Sequence, residues 1–203
     1  MKKNILIGLA MLALFAAGWF TAAKVSQSLQ TPATPDLSSS SLGGEFSLYN
    51  GGKTYKLSDF SGKLVVMYFG YTSCPDVCPT TLGVISLGLK ALTPEQMAQV
   101  QPIFISVDSD RDSVDGEKLM KYAQHFNPSF IGLSGTNEQV SAVTRQYGAF
   151  YAKVKSNSAL GYLVDHTSRT YLIDKKGKLL KVMPHDMTPE QLTDAIQAAL
   201  SGE

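Results

Sequence analysis

The chain carries almost no net charge, and it is poor in cysteine and histidine. A formal charge of +1 over 203 residues argues against a basic surface for nucleic acid. There is no dense Lys/Arg patch interleaved with aromatics, and no nucleic-acid motif. Only two cysteines are present, so one pair has to account for any thiol chemistry. Neither lies near the single long apolar run, which leaves no residue there to carry a lipid. Core-forming residues, by contrast, are abundant. Hydrophobic side chains make up 44% of the chain, and the length suits one globular domain plus extra segments.

The first extra segment is the apolar run "ILIGLAMLALFAAGWFTAA", from Ile5 to Ala23. It is just long enough to cross a bilayer as a helix, which takes about 20 apolar residues. Lys2 and Lys3 precede it and favour a cytoplasmic N-terminus with the rest of the chain outside. Residues 1–23 are therefore read as a single transmembrane anchor, with a cleaved signal peptide as the rival reading. Both readings export the domain, and the pattern suits a bacterial inner membrane with the soluble part in the periplasm. The cysteines then face an oxidising compartment. Residues 24–43 are rich in Ser, Thr, Pro and Gln and read as a flexible linker.

Residues 44–203 have an α/β pattern. "EFSLYNGGKTYKLSDF" reads as an N-terminal β-hairpin turning at Asn50-Gly51. "KLVVMYFGY" and "VQPIFISVD" are continuous apolar runs, as expected of central buried strands. Helices are expected from about Pro79 to Leu92, over "DSVDGEKLMKYAQHF" and over "NEQVSAVTRQYGAFY". "SFIGLSG" reads as a short strand, and "HTSRTYLIDKKGKLLKVM" as a hairpin turning at Lys176-Gly177. Thr188-Pro189 with Gln191 marks the start of a last helix, and Thr93 repeats the signature. Strand, helix, strand, helix, hairpin and helix is the thioredoxin-like order. The N-terminal hairpin is an addition that would cover one side of the sheet.

That order delivers Cys74 and Cys78 to the loop between the first central strand and its helix. Both are followed by proline, in "YFGYTSCPDVCPTTL". A structural disulfide is one reading, but so short a loop gives only ~2 kcal/mol on the entropy model. Pro79 in the first helical turn would place Cys78 near the N-cap, where free N–H groups favour its thiolate. The pair would then serve as a redox couple or as metal ligands. Three intervening residues, where dithiol oxidoreductases of this fold normally have two, open the pair towards a third ligand. Soft thiolates with an imidazole suit Cu(I) or Zn. Of the three histidines, His125 reads as a helix C-terminal residue and His185 as a solvated loop residue, although Met183 and Met187 are nearby. His166, in "YLVDHTSRTYLID", opens the late hairpin, and topology places that start against the cysteine loop. It is the expected third ligand.

Taken together, "YFGYTSCPDVCPTTL", "ISVDSDRDS" and "YLVDHTSRTYLID" resemble the Sco/SenC family, copper chaperones of cytochrome c oxidase assembly. The likeness runs from about Gly43 to the end and includes "GGEFSLYN" and "LSDFSGK". It implies a thioredoxin-like domain holding one copper ion, Cu(I) and also Cu(II), on Cys74, Cys78 and His166. It also implies delivery to the dinuclear centre of oxidase subunit II or another copper acceptor, or reduction of that centre's cysteines. A periplasmic copper donor or a thioredoxin-like reductant would be a further partner. The acidic segment departs from the usual VDPxRDT pattern, with Ser109 for the proline and Ser113 for the threonine. The retained Asp108, Asp110, Arg111 and Asp112 suit partner steering or site tuning, or a solvated loop held by an Arg–Asp pair. Tyr71 and Asp76 lie in the motif without an assigned step.

Two further activities compete with copper delivery. A thiol–disulfide oxidoreductase would attack a partner disulfide through Cys74 and resolve the mixed disulfide through Cys78. A peroxide-reducing enzyme of the same fold would use a low-pKa cysteine. Nothing in the sequence demands more than a monomer.

Overall fold

The computed structural model describes residues 42–113 and 116–202. The anchor segment and nearly all of the linker lie outside the described residues. Among those described, no helix is long and apolar enough to cross a membrane.

Two seven-residue strands form the centre, β3 (Leu64–Gly70) and β4 (Val100–Ser106), and every residue of both is buried. Burial on both faces explains why their sequences are continuous apolar runs and do not alternate. They run parallel, with Gly70 opposite Ser106, so their C-terminal ends lie side by side. β5 (Ile131–Leu133) adds in parallel beyond β4. β8 (Thr170–Ile173) and β9 (Leu179–Met183) add antiparallel beyond β3. The sheet order is β5-β4-β3-β8-β9. Pro102 is tolerated in β4 because β5 starts to pair only at Ile103.

Four longer helices complete the domain: α1 (Val77–Lys90), α2 (Gly116–Phe126), α3 (Asn137–Gln146) and α4 (Pro189–Ser201). Leu82, Ile85 and Leu89 of α1 recur at helical spacing and are fully covered, as are Leu192 and Ile196 of α4. The two helices approach closely at Gly88, where a Cβ would lie 3.0 Å from the Pro189 carbonyl oxygen. The expected caps are present. The Thr188 side chain accepts from the Gln191 N–H and the Thr93 side chain from the Gln96 N–H, each with its reciprocal bond. Such a cap contributes about 1 kcal/mol. The thioredoxin-like arrangement is thus the one expected.

The expected N-terminal hairpin is β1 (Ser47–Asn50) with β2 (Lys53–Lys56). The turn falls one residue later than expected, on Gly51 and Gly52 with Asn50 still paired to Lys53, and both glycines take positive φ, as a two-residue hairpin turn requires. The hairpin joins the sheet beside β5, through paired Tyr49 and Ser134 backbone bonds of 2.8 and 3.0 Å.

Three elements differ from expectation. The helix expected to run on to Tyr151 stops at Gln146, because the chain reverses at Gly148 with φ +65°. The segment after it forms a separate two-stranded ribbon, β6 (Tyr151–Lys155) against β7 (Tyr162–His166). His166 therefore closes this ribbon, and the late hairpin opens at Thr170. The helix expected from Asp112 is divided: Ser109–Asp112 forms a single helical turn of its own, and α2 begins at Gly116.

Candidate metal centre

Three chain segments converge at the C-terminal end of β3. The strand ends at Gly70, the loop from Tyr71 to Asp76 follows, and α1 begins at Val77. Cys74 is in the loop and half-buried; Cys78 is in the first turn of α1 and completely buried. Both are free thiols. Gly70 makes room for this arrangement, since a Cβ there would lie 2.8 Å from Cys78 Sγ and 2.9 Å from the Phe104 ring. The ribbon brings His166 in from the opposite side, with Nε2 at 3.1 Å from Cys78 Sγ. His166 Nδ1 faces the Thr167 carbonyl oxygen at 3.3 Å. A proton on Nε2 can be donated to the thiols of the metal-free site, whereas a proton on Nδ1 would be donated to Thr167 and leave Nε2 free to hold a metal. The Tyr71 ring stands edge-on to the imidazole, with centroids 5.8 Å apart. Donor atoms of Cys74, Cys78 and His166 all lie within 4.8 Å of one another, so the three could hold one metal ion.

The two cysteines are electrostatically unlike, and in the opposite sense to the sequence expectation. Asp76 occupies the N-cap of α1 but its side chain makes no capping bond. Cys74 Sγ takes that place and accepts the Cys78 N–H at 3.4 Å. The helix N-terminus therefore stabilises the Cys74 thiolate, not that of Cys78. The Cys78 thiol, His166 and the N–H groups of Asp76 and Cys78 together hold Cys74 well below the ordinary thiol range, against its burial. Cys78 is pushed up, first by donating to the Cys74 thiolate and then by burial.

The acidic segment after β4 is not a solvated loop. Asp108 and Asp112 are buried. Asp112 accepts from the Thr72 N–H at 2.9 Å, the Thr72 hydroxyl at 2.6 Å and the Ser106 hydroxyl at 2.6 Å. It thereby fixes the start of the cysteine loop. Asp108 pairs with Arg111 and accepts from the Tyr162 hydroxyl at 2.7 Å. Thr72 and Tyr162 were not singled out from sequence. The available signal was the parallel pairing itself, which sets the segments after β3 and β4 side by side. His125 and His185 are exposed and outside the cluster. Met183 and Met187 are buried in the core.

The SCO1/SenC family model matches residues 34–201, a span that includes all three donors. The chain belongs to this family. A SCO2-like protein of Rickettsia felis is 37% identical over 158 residues, covering 77% of this chain and 76% of that protein. Two solved structures are similar over the whole domain. Arabidopsis thaliana ScoI with copper bound is 32% identical, with a TM-score of 0.73, covering 80% of this chain and 99% of that one. Bradyrhizobium japonicum ScoI with copper bound is 34% identical, with a TM-score of 0.69, covering 78% and 99%. The SCO1/SenC membership agrees with the motif resemblance, and the shared fold is the thioredoxin-like one.

Proposed function

We propose that this chain is a copper metallochaperone whose cargo sits on Cys74, Cys78 and His166. The single observation that carries the reading is the convergence of two thiols and one imidazole within 4.8 Å of one another. Soft sulfur donors with one nitrogen favour Cu(I), and the imidazole also suits Cu(II). Copper held by the similar ScoI proteins supports the choice of metal. The acceptor would be the dinuclear copper centre of cytochrome c oxidase subunit II, as the family resemblance implies. Transfer would proceed by ligand exchange, an acceptor thiolate or imidazole entering as one donor leaves. The site is open for this: its mouth is lined by Pro75, Val77, Leu163 and Asp165. Phe150 is exposed, and its carbonyl oxygen accepts from the N–H of Thr167, next to His166. The lysine-flanked apolar run supports a membrane-tethered domain on the periplasmic side.

The test is an anaerobic Cu(I) titration of the reduced protein against a competing chelator, with His166→Ala in parallel. Tight one-to-one binding that weakens sharply in the variant is expected. Affinity indifferent to His166 would sink the reading.

The asymmetry of the cysteines favours a second reading, thiol–disulfide exchange. The half-buried Cys74 thiolate would attack a partner disulfide and release one partner thiolate. Cys78 would then attack Cys74 sulfur, releasing the second and leaving a Cys74–Cys78 disulfide. This reading predicts exchange rates that survive loss of His166.

A further inference from the structure

His166 rides on a ribbon whose strands pair with each other and with no strand of the five-stranded sheet. A two-stranded ribbon is marginal by itself in water. Side chains must therefore set where His166 stands relative to the cysteines. Val164 is buried in the core, and the polar contacts that reach the ribbon come from Asp108 and the helical turn Ser109–Asp112.

Asp108 is completely buried. One of its oxygens accepts from the Tyr162 hydroxyl at 2.7 Å, and the other pairs with Arg111 Nε. The Arg111 guanidinium lies 3.9 Å over the Tyr162 ring and 5.8 Å from the Tyr71 ring, between the ribbon and the cysteine loop. Arg111 Nη1 also reaches the Tyr162 carbonyl oxygen at 3.4 Å. Asp110 adds an ion pair to Lys153 on the other ribbon strand. Tyr162 and His166 are four residues apart on one strand, so their side chains leave the same face. From the end of the same turn, Asp112 grips Thr72, two residues before Cys74. One helical turn thus holds both sides of the metal centre.

We propose that Asp108, Arg111 and Tyr162 form a latch that seats His166 against Cys78, acting as positioning residues for the third ligand. The proposal rests on the copper reading above. Its energetic basis is that a charge-assisted bond to a buried carboxylate is stronger than a neutral one. Losing the Tyr162 hydroxyl leaves that carboxylate short of a donor. Opening the latch would withdraw the imidazole and leave the cargo on two thiolates, a coordination from which an acceptor ligand can take it.

Tyr162→Phe tests the latch, because it removes one oxygen and keeps the ring under Arg111. Direct partners of a ligating histidine are typically worth about 10–100-fold in metal affinity, and Tyr162 acts one step further out, along the strand that carries His166, so the lower end applies. Tyr162→Phe is therefore expected to weaken Cu(I) binding by about tenfold in the wild-type background. It should have no further effect once His166 is alanine, since the latch acts through that ring. In the metal-free protein, the nuclear Overhauser contact between the His166 and Tyr71 rings should weaken in Tyr162→Phe. An equal loss of affinity in both backgrounds would overturn the latch in favour of general destabilisation. Unchanged affinity with an intact ring contact would overturn it as well. Should His166→Ala leave Cu(I) affinity unaltered, the copper reading fails and the ring contact alone decides: its loss in Tyr162→Phe supports the latch, its retention overturns it.

Discussion

Cys74 Sγ accepts the backbone N–H of Cys78 at 3.4 Å, so one cysteine caps the helix on which the other sits. This single contact separates the roles of the pair. The capping sulfur is stabilised as a thiolate first by the Cys78 thiol and then by His166 and the N–H groups around it. The capped residue is covered by the core and keeps its proton.

Reactivity should follow this division. At about pH 5 an unperturbed thiol, with a pKa of about 8.5, is almost wholly protonated and slow to alkylate. Cys74, held low, should still react with iodoacetamide there, and Cys78 should not. Peptide mapping after a short pulse would read this directly. Cys78→Ala should move the Cys74 profile towards the ordinary thiol range, because the first cause of its depression is the Cys78 thiol, whose donated hydrogen bond alanine cannot replace. Labelling of Cys78 ahead of Cys74 would contradict the assignment.

Copper uptake should release about one thiol proton near neutral pH, not two, since only Cys78 still carries one to lose. The sign follows from the directions of the two shifts. A depressed Cys74 is already ionised above its own pKa, and a raised Cys78 is not. Affinity should therefore rise with pH across the neutral range with a slope of about one proton. It should fall more steeply once acidification reaches Cys74. Calorimetry in buffers of different ionisation enthalpy counts the protons, and a value near two would refute the asymmetry.

Two glycines on either side of the cysteine loop should respond oppositely to alanine. At Gly70 a Cβ would meet Cys78 Sγ at 2.8 Å, Phe104 at 2.9 Å and Tyr68 at 3.1 Å, all in the core. Overpacking of this kind costs about 1–3 kcal/mol, and here it also displaces the Cys78 sulfur, a proposed ligand. Gly83 lies within α1 with nothing in the path of a Cβ. Gly83→Ala should stabilise the protein by about 0.5–1 kcal/mol through helix propensity and leave metal binding as it was. Chemical denaturation beside a copper titration separates the two effects. A Gly70→Ala protein of full stability and affinity would show that the loop can move aside.

Much of this was legible in the sequence, and what was missed has a common cause. β3 and β4 are recognisable because strands buried on both faces need unbroken apolar runs. The caps of α4 and of the turn at Thr93 are recognisable because their bonds join residues three apart. Topology and resemblance anticipated that Cys74, Cys78 and His166 come together. The ribbon that carries His166 was missed, because "YAKVKSNSALGYLVDH" alternates weakly and follows a helical pattern that Gly148 ends. The identity of the thiolate was inverted for a similar reason. Helix position pointed to Cys78, but the bend of the loop hands the helix N–H to Cys74. The acidic segment was ambiguous because Thr72 and Tyr162, which tie Asp112 and Asp108 to the site, lie 40 and 54 residues away from them, beyond any local pattern.

Asp112 gives the sharpest test of how the cysteine loop is held. Its carboxylate is buried and receives three hydrogen bonds, two from Thr72 and one from Ser106. Asp112→Asn keeps the size but replaces one acceptor oxygen with a donor. The Asn oxygen can hold the Oδ2 position, where it still accepts from the Thr72 N–H and the Ser106 hydroxyl. The amide then faces the Thr72 hydroxyl, which must turn to accept, and a second buried amide N–H is left without an acceptor. Hydroxyls can rotate to accept, but the Thr72 N–H cannot, so the side chain must present its oxygen there. A buried unsatisfied polar group costs about 1–3 kcal/mol, and that is the expected loss of stability. The loop rather than the sheet should feel it, because β3 and β4 pair through backbone bonds that Asp112 does not touch. Hydrogen exchange should accordingly quicken at Thr72 and Cys74 while the β3 amides stay protected. Thr72→Val, which removes the hydroxyl and keeps the N–H, should give a smaller version of the same pattern. Uniform loss of protection across β3 and β4 would mean that Asp112 supports the sheet itself and not the loop.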